Sequence, residues 1–173
     1  MNVHQAKSRN KKIQDERLEL RNHLWPDLDP KTLWTRKEKT GYTTIPRAMS
    51  LIMHIMDGLS EKGKPVSSTY LALWCRVWDE CFVKISNPQD MAFESGFAGQ
   101  RKETTWSSRM KILCDLGFID AKPGKNGKYS YILIFNPYEV IKKKFKETMV
   151  KEEEYTALLE MCQTIGADDL INK

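Results

Sequence analysis

Proline and glycine cut the middle of this 173-residue chain into short pieces. Between Pro46 and Pro137, the breaks at Lys62-Gly63-Lys64-Pro65, Asn87-Pro88, Gly96, Gly117 and Lys122-Pro123-Gly124 end every apolar pattern within about four helical turns. Pieces of that length must pack against one another to bury anything. A small mixed fold of short helices and strands is the outcome this punctuation permits.

Each piece carries its own signal. Pro46 suits a first helical turn, where a missing N–H costs nothing, and Met49, Ile52, Met53, Met56 and Leu59 follow on one face. Ser67 or Ser68 is placed to cap a second helix with the stripe Tyr70, Leu73, Trp74, Val77 and Trp78. Phe82 to Ile85 alternates as a strand does. Asn87-Pro88 caps a short helix closed by Gly96, and a loop over Phe97 to Gln100 leads to a longer helix from about Lys102 to Asp115. That helix buries Trp106, Met110, Leu113 and Cys114, with Gly117 as its left-handed cap. Phe118-Ile119 starts a strand, Lys122 to Lys128 makes a basic hairpin tip, and Tyr129 to Phe135 returns. Asn136-Pro137 repeats the cap-and-proline device and opens a helix expected to run to Cys162. Ahead of all this, residues 5–24 form a polar helix with sparse apolar residues, and the stretch from Trp34 to Thr44 is irregular and basic at Arg36, Lys37 and Lys39.

Composition excludes several classes. Forty per cent hydrophobic residues can supply a core, and the longest apolar run, near Ser130 to Phe135, falls far short of a bilayer span. No apolar stretch follows the first basic residues, so the expectation is a cytoplasmic protein without a secretory signal. The four cysteines form no Cys-x-x-Cys pair and the three histidines lie far from them, so buried reduced thiols are expected rather than zinc ligands. His54, beside Met53, is read as a partly buried structural residue. With no phosphate-binding glycine loop, nucleophile elbow or metal-ligand cluster, neither an enzyme nor a cofactor is expected.

Charge narrows the reading further. Residues 1–45 hold ten Lys/Arg against six Asp/Glu, and residues 99–128 hold seven against three, whereas 129–173 holds six against eight. The net +5 is thus concentrated in the N-terminal segment and in one central window. The run Lys142-Lys143-Lys144 is followed by acids and reads as a solvated helix face. Trp74, Trp78 and Trp106 lie on helical stripes and read as core.

The order helix, short strand, short helix, turn, longer helix, strand, basic hairpin, strand over residues 68–135 resembles the winged helix-turn-helix fold. Met91-Ala92-Phe93-Glu94-Ser95-Gly96-Phe97 looks like that family's second helix, with a small residue facing the core and a glycine at the turn. Trp106, Met110, Leu113 and then Gly117-Phe118-Ile119 match the close of its recognition helix. The turn Phe97-Ala98-Gly99-Gln100 is a little longer than the family's. More loosely, the chain resembles small DNA-binding proteins of bacterial plasmids and other mobile elements, including replication-initiator-like ones.

What the resemblance implies agrees with the residues. Arg101, Thr104, Thr105, Ser108 and Lys111 project opposite the buried stripe, with Arg109 on the flank. Small hydroxylated side chains let a helix enter the major groove, while Arg and Lys meet phosphates or base edges. Lys122, Lys125, Asn126 and Lys128 surround two glycines, a tip suited to the sugar–phosphate backbone. The expected protein is mainly α (α+β): a basic N-terminal arm over 1–45, a winged-helix domain with its preceding helix and a small antiparallel sheet over 46–136, and a C-terminal helix over 137–173. Its expected partner is double-stranded DNA, as a transcriptional regulator or replication-associated factor in a bacterium. A homodimer through the C-terminal helix is part of that expectation. The competing reading is a protein-contact subunit of a larger nucleic-acid-handling assembly.

Overall fold

In a computed structural model the described residues are 3–36 and 39–170; Lys37, in the irregular basic stretch, lies outside them. The chain forms two compact units, Met1–Tyr42 and Thr43–Lys173. The first holds helix α1 (Val3–Leu24), on which Ile13, Leu18, Leu20 and Leu24 stay exposed as a sparsely apolar helix must. A one-turn 3-10 helix, Pro30–Thr32, follows, capped by the Asp29 carboxylate accepting from the Lys31 N–H at 2.9 Å. Trp34 then meets Tyr42 edge-on at 6.0 Å.

The second unit is α+β. Among the described residues it runs α2 (Met49–Leu59), α3 (Ser67–Trp74), β1 (Phe82–Lys84), α4 (Pro88–Glu94), α5 (Lys102–Leu116), β2 (Ile119–Gly124), β3 (Gly127–Ile134), α6 (Pro137–Lys146) and α7 (Glu152–Ile165). The strands form one antiparallel sheet in the order β1-β3-β2. Val83, Ile85, Ile119, Ile132 and Ile134 face inward and share one core with Ile52, Met56, Tyr70, Leu73, Met91, Trp106, Leu113, Ile141 and Leu158.

Local signals account for most boundaries. Asn87 accepts from the Gln89 N–H and Asn136 from the Tyr138 N–H, each at 3.0 Å, with proline next in the first turn. Gly117 closes α5 at φ +84°. Others differ from expectation. Helix α2 begins three residues after Pro46, whose carbonyl accepts from the Met49 N–H, and Ile55 is buried where Met53 is only half-buried. Neither Ser67 nor Ser68 caps α3. The Asp57 carboxylate reaches over from α2 and accepts from the Val66 N–H (2.7 Å), the Ser67 N–H (2.8 Å) and the Ser67 hydroxyl (2.6 Å).

Helix α3 ends at Trp74, so the stripe never reaches Trp78, which is 79% exposed and not core. Cys162 is buried, but Cys75 and Cys81 are exposed and Cys114 is intermediate. Cys75 and Cys81 lie past the end of α3, whereas Cys114, on the edge of α5, is partly covered by the core. His54 likewise points outward on α2, its side chain 70% exposed.

The hairpin tip is tighter than expected. Strands β2 and β3 extend to Gly124 opposite Gly127, leaving Lys125-Asn126 as a two-residue turn. Pro123, without an N–H for the ladder, sits where the register shifts between Lys122 and Gly124. A side chain at Gly124 would lie 2.7 Å from the Tyr131 ring, so the position excludes one.

The C-terminal helix is two helices. Chain reversal occurs at Thr148, φ +59°, and lets Phe145 stack on Tyr155 with centroids 3.9 Å apart and planes within 2°. Both helices pack against α2, burying Ile141, Leu158 and Cys162. The apolar residues of the segment expected to pair two chains, Val140, Ile141, Phe145, Tyr155, Leu158, Leu159 and Cys162, pack in or against the chain's own core, with Met149 left half-exposed.

Replacing Asp57 by Ala removes three acceptor contacts from the start of α3. The expected loss is about 1–3 kcal/mol of unfolding free energy, read from urea midpoints at unchanged m-value. A variant as stable as the parent would mean that solvent satisfies those N–H groups equally well.

Candidate nucleic-acid interface

Helix α5 is held by one face. Trp106, Met110 and Leu113 are buried, and the Trp106 ring meets Tyr129 of β3 edge-on at 5.7 Å, fixing the helix to the hairpin. Ile112 and Leu116 are buried too, which widens the inward arc beyond the expected stripe. The arc takes Thr105 and Arg109 partly with it. Exposed positions are therefore Arg101, Glu103, Thr104, Lys111 and Asp115, with Ser107 and Ser108 half-buried between them. Two acids, Glu103 and Asp115, share this face with the cations.

The cations differ in how free they are. Arg101 is exposed at the N-cap position of α5 and has no carboxylate partner among the described residues. Its side chain does not cap the helix, so the N–H groups of the first turn lack a side-chain acceptor from that position. Lys102 is half-buried, its ammonium 6.0 Å from the centre of the Phe93 ring. Arg109 lies 5.8 Å over Phe97, with Nε buried and lacking a hydrogen-bond partner. Lys111 is paired with Asp115 one turn on, at 2.5 Å. That hydrogen bond first, and the Asp115 charge second, hold the Lys111 ammonium above the usual lysine range.

The hairpin divides in the same way. Lys122 pairs with Asp120 at 3.1 Å, and with the Ala121 N–H this contact holds the Asp120 carboxyl below the usual range. Lys125 is exposed in the turn without a carboxylate partner among the described residues. Lys128 is exposed, 5.3 Å from the centre of the Tyr129 ring. Asn126 is a structural residue. Its side-chain Nδ2 donates to the Ile85 carbonyl at 3.1 Å, and its backbone N–H donates to Ser130 Oγ at 3.2 Å. These bonds tie the turn to the chain after β1.

Helix and hairpin share an edge. Lys128 and Lys111 both act electrostatically on the Cys114 thiol, which burial pushes above its ordinary value. The Trp106–Tyr129 contact thus sets the hairpin, with Lys128 next to Tyr129 and Lys125 in the turn, beside the helix that carries Arg101 and Lys102 at its start. Phe93, 68% exposed beneath Lys102, was missed in the sequence. Its position was legible there: Met91 and Ala92 occupy the buried side of α4, so the following residue must point away. Among the described residues no cluster of three His, Cys, Asp or Glu is arranged to hold a metal ion, and no helix is long and apolar enough to cross a membrane. Compared with protein-family models, curated proteins and solved structures, the chain matches none.

Proposed function

We propose that the second unit is a winged-helix domain that binds double-stranded DNA, with α5 in the major groove and the β2–β3 hairpin against the sugar–phosphate backbone. The element order α3-β1-α4-α5-β2-β3 and the sheet order β1-β3-β2 support the arrangement. One observation carries the reading: the Trp106–Tyr129 contact holds a basic-ended helix and a lysine-bearing hairpin rigidly together. Rigid spacing between two phosphate-contacting elements is what fixes register on a duplex. Regulation of transcription or a part in replication, in the bacterial cytoplasm, is the setting this activity fits.

Roles follow from how free each group is. Arg101 and Lys102 stand at the positive end of the α5 dipole, where a phosphate is favoured. Thr104 and Ser108 are the small groups on the outward face that suit base edges. Lys125 and Lys128 serve the backbone. Arg109 packs on Phe97 and Asn126 braces the turn, so both act through position. The alternative, a protein-contact subunit, draws on the N-terminal unit, where Ile13, Leu20 and Leu24 remain exposed on α1.

Salt-dependent anisotropy with duplex DNA tests the assignment. Replacing Arg101 and Lys102 by Ala should reduce the slope of log affinity against log salt by about one to two units. An unchanged slope would remove the start of α5 from the interface.

A second prediction concerns the acids that neutralise this surface. Asp115→Asn with Asp120→Asn frees Lys111 and Lys122, so duplex affinity should rise and the slope should steepen by up to about two units. Equal affinity in the variant would place both lysines away from DNA.

A further inference from the structure

The register of the sheet gathers a second surface. Phe82 and Lys84 of β1 are exposed on either side of buried Val83. Phe82 lies opposite Leu133 and Lys84 opposite Tyr131, while Tyr131 is also paired with Lys122 of β2. The outward face therefore reads Phe82–Leu133–Asp120 in one row and Lys84–Tyr131–Lys122 in the next. A solvated sheet face ordinarily alternates to polar residues. Here Phe82, Tyr131, Leu133 and Phe135 stand between 36 and 43% exposed.

The aromatic rings are aligned. Phe82 and Tyr131 are parallel to within 14°, with centroids 6.2 Å apart. Trp78, 79% exposed, lines a cleft of ≈ 370 Å³ with Phe82 and Lys84. On the far side of Lys84 a cleft of ≈ 380 Å³ is lined by Tyr131 and Lys125. Lys84 and Lys125 have no carboxylate partner among the described residues, unlike Lys122 and Arg76. The two clefts meet at Lys84 and are walled by Trp78 and Phe82 on one side and Tyr131 on the other, with Glu80 in the first and Lys125 in the second.

We infer that this face of the β1-β3-β2 sheet binds single-stranded nucleic acid, with bases stacked on Tyr131, Phe82 and Trp78 and phosphates held by Lys84 and Lys125. Three physical points favour this occupant. A π-face accepts an unstacked base regardless of its identity, and parallel rings continue the parallel order of successive bases. A duplex hides those base faces, so the site selects single strands. Lysine is depleted from protein interfaces relative to the rest of the surface, yet Lys84 lines both clefts of this one. The aromatic rows are distinct from α5, and the two proposed surfaces meet at the hairpin, where Lys125 lines this one and also faces the duplex backbone and Lys122 borders both.

The test is anisotropy at low salt with a fluorescein-labelled oligothymidylate of about 12 nucleotides, using the full chain. Phe82→Leu with Tyr131→Leu keeps apolar bulk on the strands and removes the π-faces. It should weaken oligothymidylate binding about tenfold or more, while Phe82→Tyr with Tyr131→Phe binds as the parent does. Duplex affinity should be unchanged in both, and R101A/K102A should spare the single-strand site, so the two readings fail independently. If the double leucine variant is unfolded by circular dichroism, Phe82→Leu alone, on the edge strand, should still cost about fivefold. The inference is overturned if the parent does not bind the oligonucleotide, or if a folded leucine variant binds it equally well. It is also overturned if that variant changes from dimer to monomer in light scattering, which would make the face a protein contact.

Discussion

Strand β3 sets what every other element of the second unit can do. It lies between β1 and β2, and side chains alternate along it, so its register decides both faces of the sheet at once. Ile132 opposite Val83 and Ala121 belongs to the core, and the residues on either side of it belong to solvent. A slip of β3 by one residue would turn Ile132 and Ile134 to solvent and Tyr131 and Leu133 into the core. The tyrosine would then have to fit its ring and hydroxyl into space shaped for isoleucine, and overpacking of that kind costs about 1–3 kcal/mol before the buried hydroxyl is counted. The two-residue turn and the Asn126 bond to the Ile85 carbonyl pin the register from the outer end.

The same register couples helix to hairpin. Tyr129, at the start of β3, meets Trp106 near the start of α5, so any displacement of the hairpin tilts the helix. Electrostatics then refine which charges are usable. Lys111 and Lys122 each have a carboxylate within four residues, and exposed pairs of this kind contribute little stability. Their effect is to reduce the local field. Free positive charge remains at Arg101 and Lys125, on the margins of the surface, with Lys102 and Lys128 lying over aromatic rings. A ligand bearing phosphates would be gripped at its edges, leaving the small residues of α5 at the centre.

Much of this was legible because the signals are local. Asn87-Pro88, Asn136-Pro137 and Gly117 act within one turn of the chain, and each marks the boundary it was expected to mark. The Lys111–Asp115 pair was equally readable from its i, i+4 spacing, although composition alone gave the window a simple excess of lysine. What failed depended on distant partners. Asp57 caps α3 from another helix, so Ser67 looked sufficient. Ile112 and Leu116 face inward because other elements cover a wider arc of α5 than one stripe requires. Trp78 fell on a helical spacing that ends, without proline or glycine, four residues earlier.

The break after α6 shows how tertiary gain overrides a locally continuous helix. Nothing between Lys142 and Glu154 is a helix breaker, and Thr148 at φ +59° costs roughly 1–2 kcal/mol as a non-glycine residue in the left-handed region. An unbroken helix would carry Leu158 and Cys162 past the end of the core into solvent. Folding back buries Leu158 and Val150 and stacks Tyr155 on Phe145. Burial of the two aliphatic side chains alone offsets the strain, at about 1.5–3 kcal/mol each. Closure of the core by α6 and α7 also removes most of the C-terminal apolar series from contact with partners. Within the second unit, the largest apolar side chains left to recognise anything are then Trp78, Phe93 and the aromatic rows of the sheet.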